Sequence, residues 1–200
     1  MNRADAATAT RDTPVLLADG SDASIRELEA SDRPAVEELF TTADPDHLYT
    51  RFFTVGTTMV RRHIDHLFAD GASTTSYVLE RARTLLGIAD VEHLDHGCAE
   101  VAFFVAGGAH GLGIATLLLE RAADDAWRRG ITTFVADVLP ANRSMLEVFR
   151  DAGFEYEFVN ERGDVLVKMS TQRTPAALAA SAARRAVALS RRSGAHGADA

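Results

Sequence analysis

The sequence predicts one α+β or α/β domain built on a mixed sheet, and three features carry that expectation. Segments with strand and helix character follow the order ββ-ααα-βββ-α-β-α-ββ between Val15 and Met169. Glu100 to Ala106 is a nearly continuous apolar run, the pattern of a strand buried on both faces. Gly111 to Arg129, just after it, is the strongest helical pattern in the chain, which places this strand and helix at the centre.

Taken in order, residues 1–14 are polar, rich in Ala and Thr, and read as disordered. Val15–Leu17 and Ala23–Leu28 flank a turn at Asp19-Gly20 and form a hairpin. Ser31 is the expected N-cap of a helix that carries Leu39 and Phe40 on its apolar side. Asp44-Pro45-Asp46 opens a second helix with Leu48, Tyr49, Phe52 and Phe53, and Thr57–Phe68 forms a third. Ser76–Ala82 and Thr84–Val91 are strands about a tight turn, and His93–Gly97 is a loop. The long helix directs Leu117, Leu118 and Trp127 inward and ends at Gly130. Ile131–Val138 is another apolar strand, Asn142–Ala152 a helix stopped by Gly153, and Phe154–Val159 with Asp164–Met169 a last strand pair. The domain therefore spans residues 15–170. Residues 171–200 carry five arginines against one acid; Ala176–Ser190 has helical character, but its apolar stripe is mostly alanine, so the segment reads as a basic linker or partner-docking tail outside the core.

Composition narrows the function classes. Of 200 residues, 46% are hydrophobic and 25% charged, the balance of a soluble globular protein. No apolar run approaches a membrane span, and the N-terminus lacks the apolar core of a secretory signal. Asp5 and Asp12 argue against a mitochondrial presequence, so a cytoplasmic protein with no membrane partner is expected. Cys98 is the only cysteine, which excludes an internal disulfide and cysteine-based zinc sites. A net charge of −8 argues against nucleic acid as partner and favours cationic substrates such as amines.

The turn from Gly107 to Ala115 is the most informative segment. A helix N-terminus leaves backbone N–H groups free and carries positive partial charge, and glycines let a phosphate approach it closely. The turn lacks the Gly-Lys-Ser/Thr of a P-loop. It also lacks the third glycine of a Rossmann fingerprint, because Thr116 stands there.

Two motifs in the right order make the reading specific. His110-Gly111-Leu112-Gly113-Ile114-Ala115 resembles the Gln/Arg-x-x-Gly-x-Gly/Ala motif of the GCN5-related N-acetyltransferase (GNAT) family, with His110 in place of the usual Gln or Arg. The segment from Asn142 to Phe154 resembles that family's later helix, and Asp19-Gly-Ser, Tyr49–Phe53 and Ala99–Phe103 look closest to actinobacterial protein-lysine acetyltransferase domains. The resemblance implies an α/β/α sandwich with a mixed, mostly antiparallel sheet of about seven strands and helices on both faces. It implies acetyl-CoA as cosubstrate, no metal, and acetyl transfer by direct attack to a primary amine, that of a protein lysine side chain. A small-molecule amine is the alternative acceptor, and a non-catalytic CoA-binding module or a subunit controlled through its tail are the alternative roles. The matching positions would have backbone N–H groups around Phe104, Val105 and Ala106 polarise the thioester and pair with pantetheine. His110, Gly111, Leu112, Gly113, Ile114, Ala115 and Thr116 would cradle the pyrophosphate, and Asn142, also a plain N-cap candidate, would bond the cofactor.

The chemistry itself asks for a base, because an ammonium has no lone pair. Glu100 opens the strand that runs into the phosphate turn, where apolar surroundings would tune it for proton abstraction, and the resemblance supports it in that role. Asp90, Glu92 and Asp137 are the alternatives. Two departures from the family stand out. Phe149 replaces the Tyr that protonates the leaving thiolate in many relatives, and Leu112 stands where Arg is frequent. His96, Cys98 and Glu100 at i, i+2, i+4 allow a Cys–His–carboxylate reading, but a lone small Cys is better read as core filler. His63, Asp65 and His66 read as the polar face of an exposed helix, not as a metal site.

Overall fold

The first hairpin sets the edge of the sheet. Strands β1 (Thr13–Leu16) and β2 (Asp22–Glu27) flank a turn in which Asp19 Oδ1 accepts from Ser21 N at 2.9 Å and Gly20 adopts φ +88°. Thr13 and Pro14, expected to be disordered, thus belong to a strand. The computed structural model describes residues 12–53, 57–69, 71–161 and 163–196, so residues 1–11 of the expected disordered N-terminus lie outside the described residues.

Three helices follow. Helix α1 (Arg33–Thr41) starts one residue later than its expected Ser31 cap. Glu29 and Asp32 form a reciprocal capping box around a short 3-10 turn, and Asp32 also takes both ends of the Arg26 guanidinium at 2.6 and 2.9 Å. Helix α2 (Pro45–Phe52) is capped by Asp44, which accepts from Asp46 N at 2.8 Å, and ends on Phe53 in the left-handed region. Helix α3 is Thr57–Leu67. The rest is β3 (Thr74–Arg81), β4 (Thr84–His93), β5 (Cys98–Val105), α4 (Ile114–Arg128), β6 (Thr133–Val138), α5 (Arg143–Asp151), β7 (Tyr156–Glu161), β8 (Asp164–Ser170) and α6 (Pro175–His196).

One eight-stranded sheet in the order β1-β2-β3-β4-β5-β6-β8-β7 forms the middle layer, one strand more than the expected seven or so. Every pairing is antiparallel except β5 with β6. Side chains alternate between its faces. Tyr77, Leu79, Ala89 and Val91 meet α4 and α5 on one side, while Val78 and Ile88 meet α1 and α3 on the other. The α/β/α arrangement follows from that alternation. Gly87 admits α4 at closest approach, since a Cβ there would lie 2.7 Å from Ile114 Cγ2.

Two expectations change. Trp127 is 44% exposed, so it lies on the solvent side of α4 and the inward face runs through Leu118, Ala122 and Ala126. The C-terminal segment, expected to be a linker or docking tail, is helix α6 packed along the back of the domain. Its small residues Ala177 and Ala188 are buried, and Ser181 and Arg184 both bond Glu120 of α4. Arg192 pairs with Asp22 at 2.8 and 2.9 Å, and Arg191 donates to Ala18 O at 2.8 Å. Alanine predominates because the helix approaches closely, not because it lacks a partner. Among the described residues, no helix is long and apolar enough to cross a membrane.

Gly20 is the tightest point of that contact: a Cβ would fall 2.6 Å from Arg192 N and 2.9 Å from Ala188 O, at a φ that L side chains rarely adopt. Gly20→Ala should therefore cost about 1–3 kcal/mol. Urea unfolding of the full chain measures that loss, and a variant as stable as wild type would show that α6 does not bear on the hairpin.

Candidate active site

β5 and β6 pair as parallel neighbours over only three positions, Cys98 with Thr133, Ala99 with Phe134 and Glu100 with Val135. β5 then continues to Val105 against β4 alone, while β6 continues to Val138 against β8. The two strands part, and the gap between them holds two adjoining cavities.

The larger cavity, about 630 Å³, lies at the end of β5. Ala106 N donates to Leu86 O at 2.9 Å, on the β4 side. Amides alternate along an antiparallel strand, so Phe104 N also faces β4 and Val105 turns its N–H and C=O into the gap. Of the three backbone donors expected here, the Val105 N–H is the one turned toward a ligand, while the Val105 carbonyl lies 3.3 Å from His110 Nε2. The chain then makes a 3-10 turn at Gly107–Ala109 and enters α4 through Gly111 and Gly113, at φ +78° and +76°. Those angles favour glycine. Gly113 provides no side-chain cap and α4 has no acid in its first turn, so its leading N–H groups are left for an anion.

Among the residues expected around this cradle, Phe104, Val105, His110, Gly111, Gly113, Ile114, Ala115, Thr116 and Asn142 line the cavity. Ala106 and Leu112 do not. Leu112 packs into the core instead, and its carbonyl accepts from Ala18 N at 2.9 Å. Asn142 caps α5, its Oδ1 accepting from Met145 N at 3.2 Å and Ser144 Oγ at 3.1 Å, which leaves its amide nitrogen out of the cap. His47 of α2 was not foreseen. Its ring lies 4.6 Å from that of His110, and its Nδ1 is buried without a hydrogen-bond partner.

The smaller cavity, about 270 Å³, lies between the parting strands and includes Glu100, Asp137 and Phe149 in its wall. Glu100 is exposed there, not set in the apolar surroundings expected of it, and Asp137 is exposed on the same side of the sheet. The other two candidate bases are committed elsewhere. Glu92 bonds Ser73, Thr74 and His66 and lines neither cavity. Asp90 is buried, with Arg51 Nη2 at 3.0 Å, His63 Nε2 at 3.0 Å and Ser76 Oγ at 2.8 Å. Burial alone would raise its carboxyl, but the close approach of His63 and the Arg51 charge outweigh that and hold it below the usual carboxylate range. A carboxylate held this way is a poor proton acceptor. Phe149 is buried with its ring 6.1 Å from Phe103.

The remaining constellations dissolve. Among the described residues no hydrogen bond joins His96, Cys98 and Glu100, and no group of three or more His, Cys, Asp or Glu side chains is arranged to hold a metal. His63 faces Asp90 inside the protein instead of solvent, while Asp65 pairs with Arg33 and His66 with Glu92.

The sign of the Asp90 shift gives a pH dependence. A carboxyl lowered on folding stabilises the fold above its unfolded value, 3.8, and loses that contribution as pH falls through its folded value. Asp90→Asn, which breaks the buried pair, should cost about 3 kcal/mol at neutral pH. In urea titrations of both proteins the gap should hold above about pH 4 and close only as pH falls further, through the folded value, and a gap that does not depend on pH would contradict this role.

These features have counterparts in known proteins. No curated protein matches the sequence, but the profile of the Acetyltransferase (GNAT) family matches residues 33–154. The fold is similar to that of the GNAT domain of S. lividans PAT, at 27% identity and TM-score 0.72, covering 80% of this chain and 96% of that one. It is also similar to Mycobacterium smegmatis RimJ in complex with CoA-disulfide, at 20% identity and TM-score 0.66, covering 87% and 94%. Salmonella typhimurium yncA with its cofactor acetyl-CoA shares 19% identity at TM-score 0.63, covering 78% and 98%. With the family profile spanning more than half of its length, including the strand gap and the glycine turn, the chain belongs to the GNAT family of acetyltransferases.

Proposed function

We propose that the protein transfers an acetyl group from acetyl-CoA to a primary amine, with a protein lysine side chain as acceptor and Glu100 as general base. The observation that carries this reading is the pair of adjoining cavities in the β5–β6 gap, one ending on anion-ready amides and the other walled by carboxylates. The pyrophosphate of the cofactor fits the first turn of α4, where Gly111, Gly113, Ala115 and Thr116 bring backbone close. Pantetheine would pair with Val105, and the thioester would lie where the cavities meet. The acceptor amine enters past Glu100 and Asp137, whose charge suits a cation. Glu100 takes one proton of the ammonium, directly or through a water, the amine attacks the carbonyl carbon, the adduct nitrogen loses its second proton to water, and CoA leaves as thiolate. The sequence resemblance to protein-lysine acetyltransferase domains supports a protein acceptor. A place among cytoplasmic enzymes fits the same reading.

Glu100→Gln should lower kcat for CoA release by about 10²–10⁴-fold with little change in KM for acetyl-CoA. Asp137→Asn in the same assay is the control, and full activity of the Glu100 variant alongside an inactive Asp137 variant would move the base to Asp137. Mass spectrometry of acetylated proteins, run against a panel of small amines, decides the acceptor.

A further inference from the structure

The two cavities share five wall residues: Thr50, Arg51, Phe103, Asn142 and Met145. Arg51 is the only charged residue among them, so it stands at the seam between cofactor and acceptor. Its guanidinium is not a free surface cation. Nη2 is held by the buried Asp90 at 3.0 Å, and the group sits 5.0 Å from the ring centroid of Phe52. Asp90 is in turn fixed from the sheet side by Ser76 and from α3 by His63. Arg51 Nε is buried and has no hydrogen-bond partner. A buried donor left unpaired is costly, and retained ones call for a role.

That role is supplied by what the site lacks. Phe149, in the wall of the acceptor cavity, has no hydroxyl with which to protonate a leaving group. When the amine nitrogen bonds to the carbonyl carbon, the C–S bond breaks and its electron pair passes to sulfur. The ammonium gives one proton to the base before attack, and the nitrogen of the tetrahedral adduct gives its second to solvent water, so the thiolate leaves with its charge unneutralised. A fixed cation at the seam stabilises that charge without moving a proton.

We propose that Arg51 is a catalytic residue that stabilises the departing CoA thiolate in place of a phenolic acid at position 149. This rests on the acetyl-transfer reading above. Asp90 is its positioning residue, and together they let α2 contribute chemistry to a site whose cofactor is held by α4. Arginine suits the position because it stays protonated and offers several donors from one plane, so one edge can be clamped while another faces the substrate.

The test is CoA release from acetyl-CoA with a lysine-bearing protein acceptor. Arg51→Met should lower kcat by about 10–100-fold while KM for acetyl-CoA changes about twofold at most. Phe149→Tyr should restore about tenfold in the Arg51→Met background but change the wild-type rate by less than about threefold, because the phenol and the guanidinium do the same task. Since Arg51→Met strands the Asp90 carboxylate, Arg51→Met/Asp90→Asn is measured beside it, with thermal melting to confirm folding. A folded double variant with wild-type kcat, or a Phe149→Tyr effect equal in both backgrounds, overturns the proposal. The unaltered enzyme offers an independent readout: across acetyl thioesters whose thiols differ in acidity, its rate should vary only weakly, and a steep dependence overturns the assignment. Wild type that releases no CoA with any acceptor overturns the acetyl-transfer reading as well, whereas release insensitive to Arg51 overturns this one alone.

Discussion

The site depends on a parallel ladder that stops after three pairs. Two neighbouring strands normally satisfy each other's backbone along their whole shared length. Here β5 and β6 part beyond Glu100 and Val135, because β6 turns to follow β8 and β5 stays with β4. The parting leaves backbone of β5 unpaired on one side and opens the volume that both cavities occupy. It also sets where α4 begins. The chain leaves β5 at Val105, needs a tight reversal, and enters the helix through two glycines in the left-handed region. A ligand in the gap therefore meets a strand edge and a helix N-terminus at once, two sources of free N–H groups placed by one topological event.

The second wall of the gap comes from outside the sheet. Helix α2 is short, and among its residues Phe52 packs against the core without being fully buried. Tertiary contacts must hold it, since an isolated helix of two turns is not stable in water. The buried Arg51–Asp90 pair is the polar part of that hold, and the Phe40–Phe52 contact at a centroid distance of 5.7 Å is the apolar part. A buried ion pair is a weak source of net stability but a strong determinant of geometry, because every displaced arrangement leaves an unpaired charge. It fixes one helix that reaches both cavities, with His47 beside the phosphate turn and Thr50 and Arg51 at the seam.

Local sequence signals carried the element order and the cradle. Glycines at 111 and 113, an apolar strand before them and an amphipathic helix after them are short-range features, and the structure places each within a residue or two. What could not be read locally was pairing across the chain. Asp90 reads as one carboxylate on a strand, and only the fold brings Arg51 and His63 to it from 39 and 27 positions away. His47 follows a helix cap with no sign that its ring will rest beside His110. The alanines of α6 looked like a weak apolar stripe because helix patterning scores hydrophobic bulk. The contact with Gly20 and Glu120 selects small residues for close approach and arginines for specific acids. Trp127 failed for the opposite reason, since a large apolar residue in a helical pattern does not reveal on which side of the buried stripe it falls.

The charge distribution joins these parts into one mechanism. On the proposed reading, a protein with a net charge of −8 binds an anionic cofactor and a cationic acceptor in the same gap. It does so by separating the two along the gap's length. The cofactor end then relies on backbone amides, with His47, His110 and Arg143 in the same wall. The acceptor end presents Glu100 and Asp137. Between them the one fixed cation is Arg51, itself balanced by Asp90, so the seam stays close to neutral until charge develops on sulfur. Such an arrangement favours neither bound partner at the expense of the other. It acts on the charge that exists only as the C–S bond breaks, which is where binding energy raises a rate instead of merely tightening a complex.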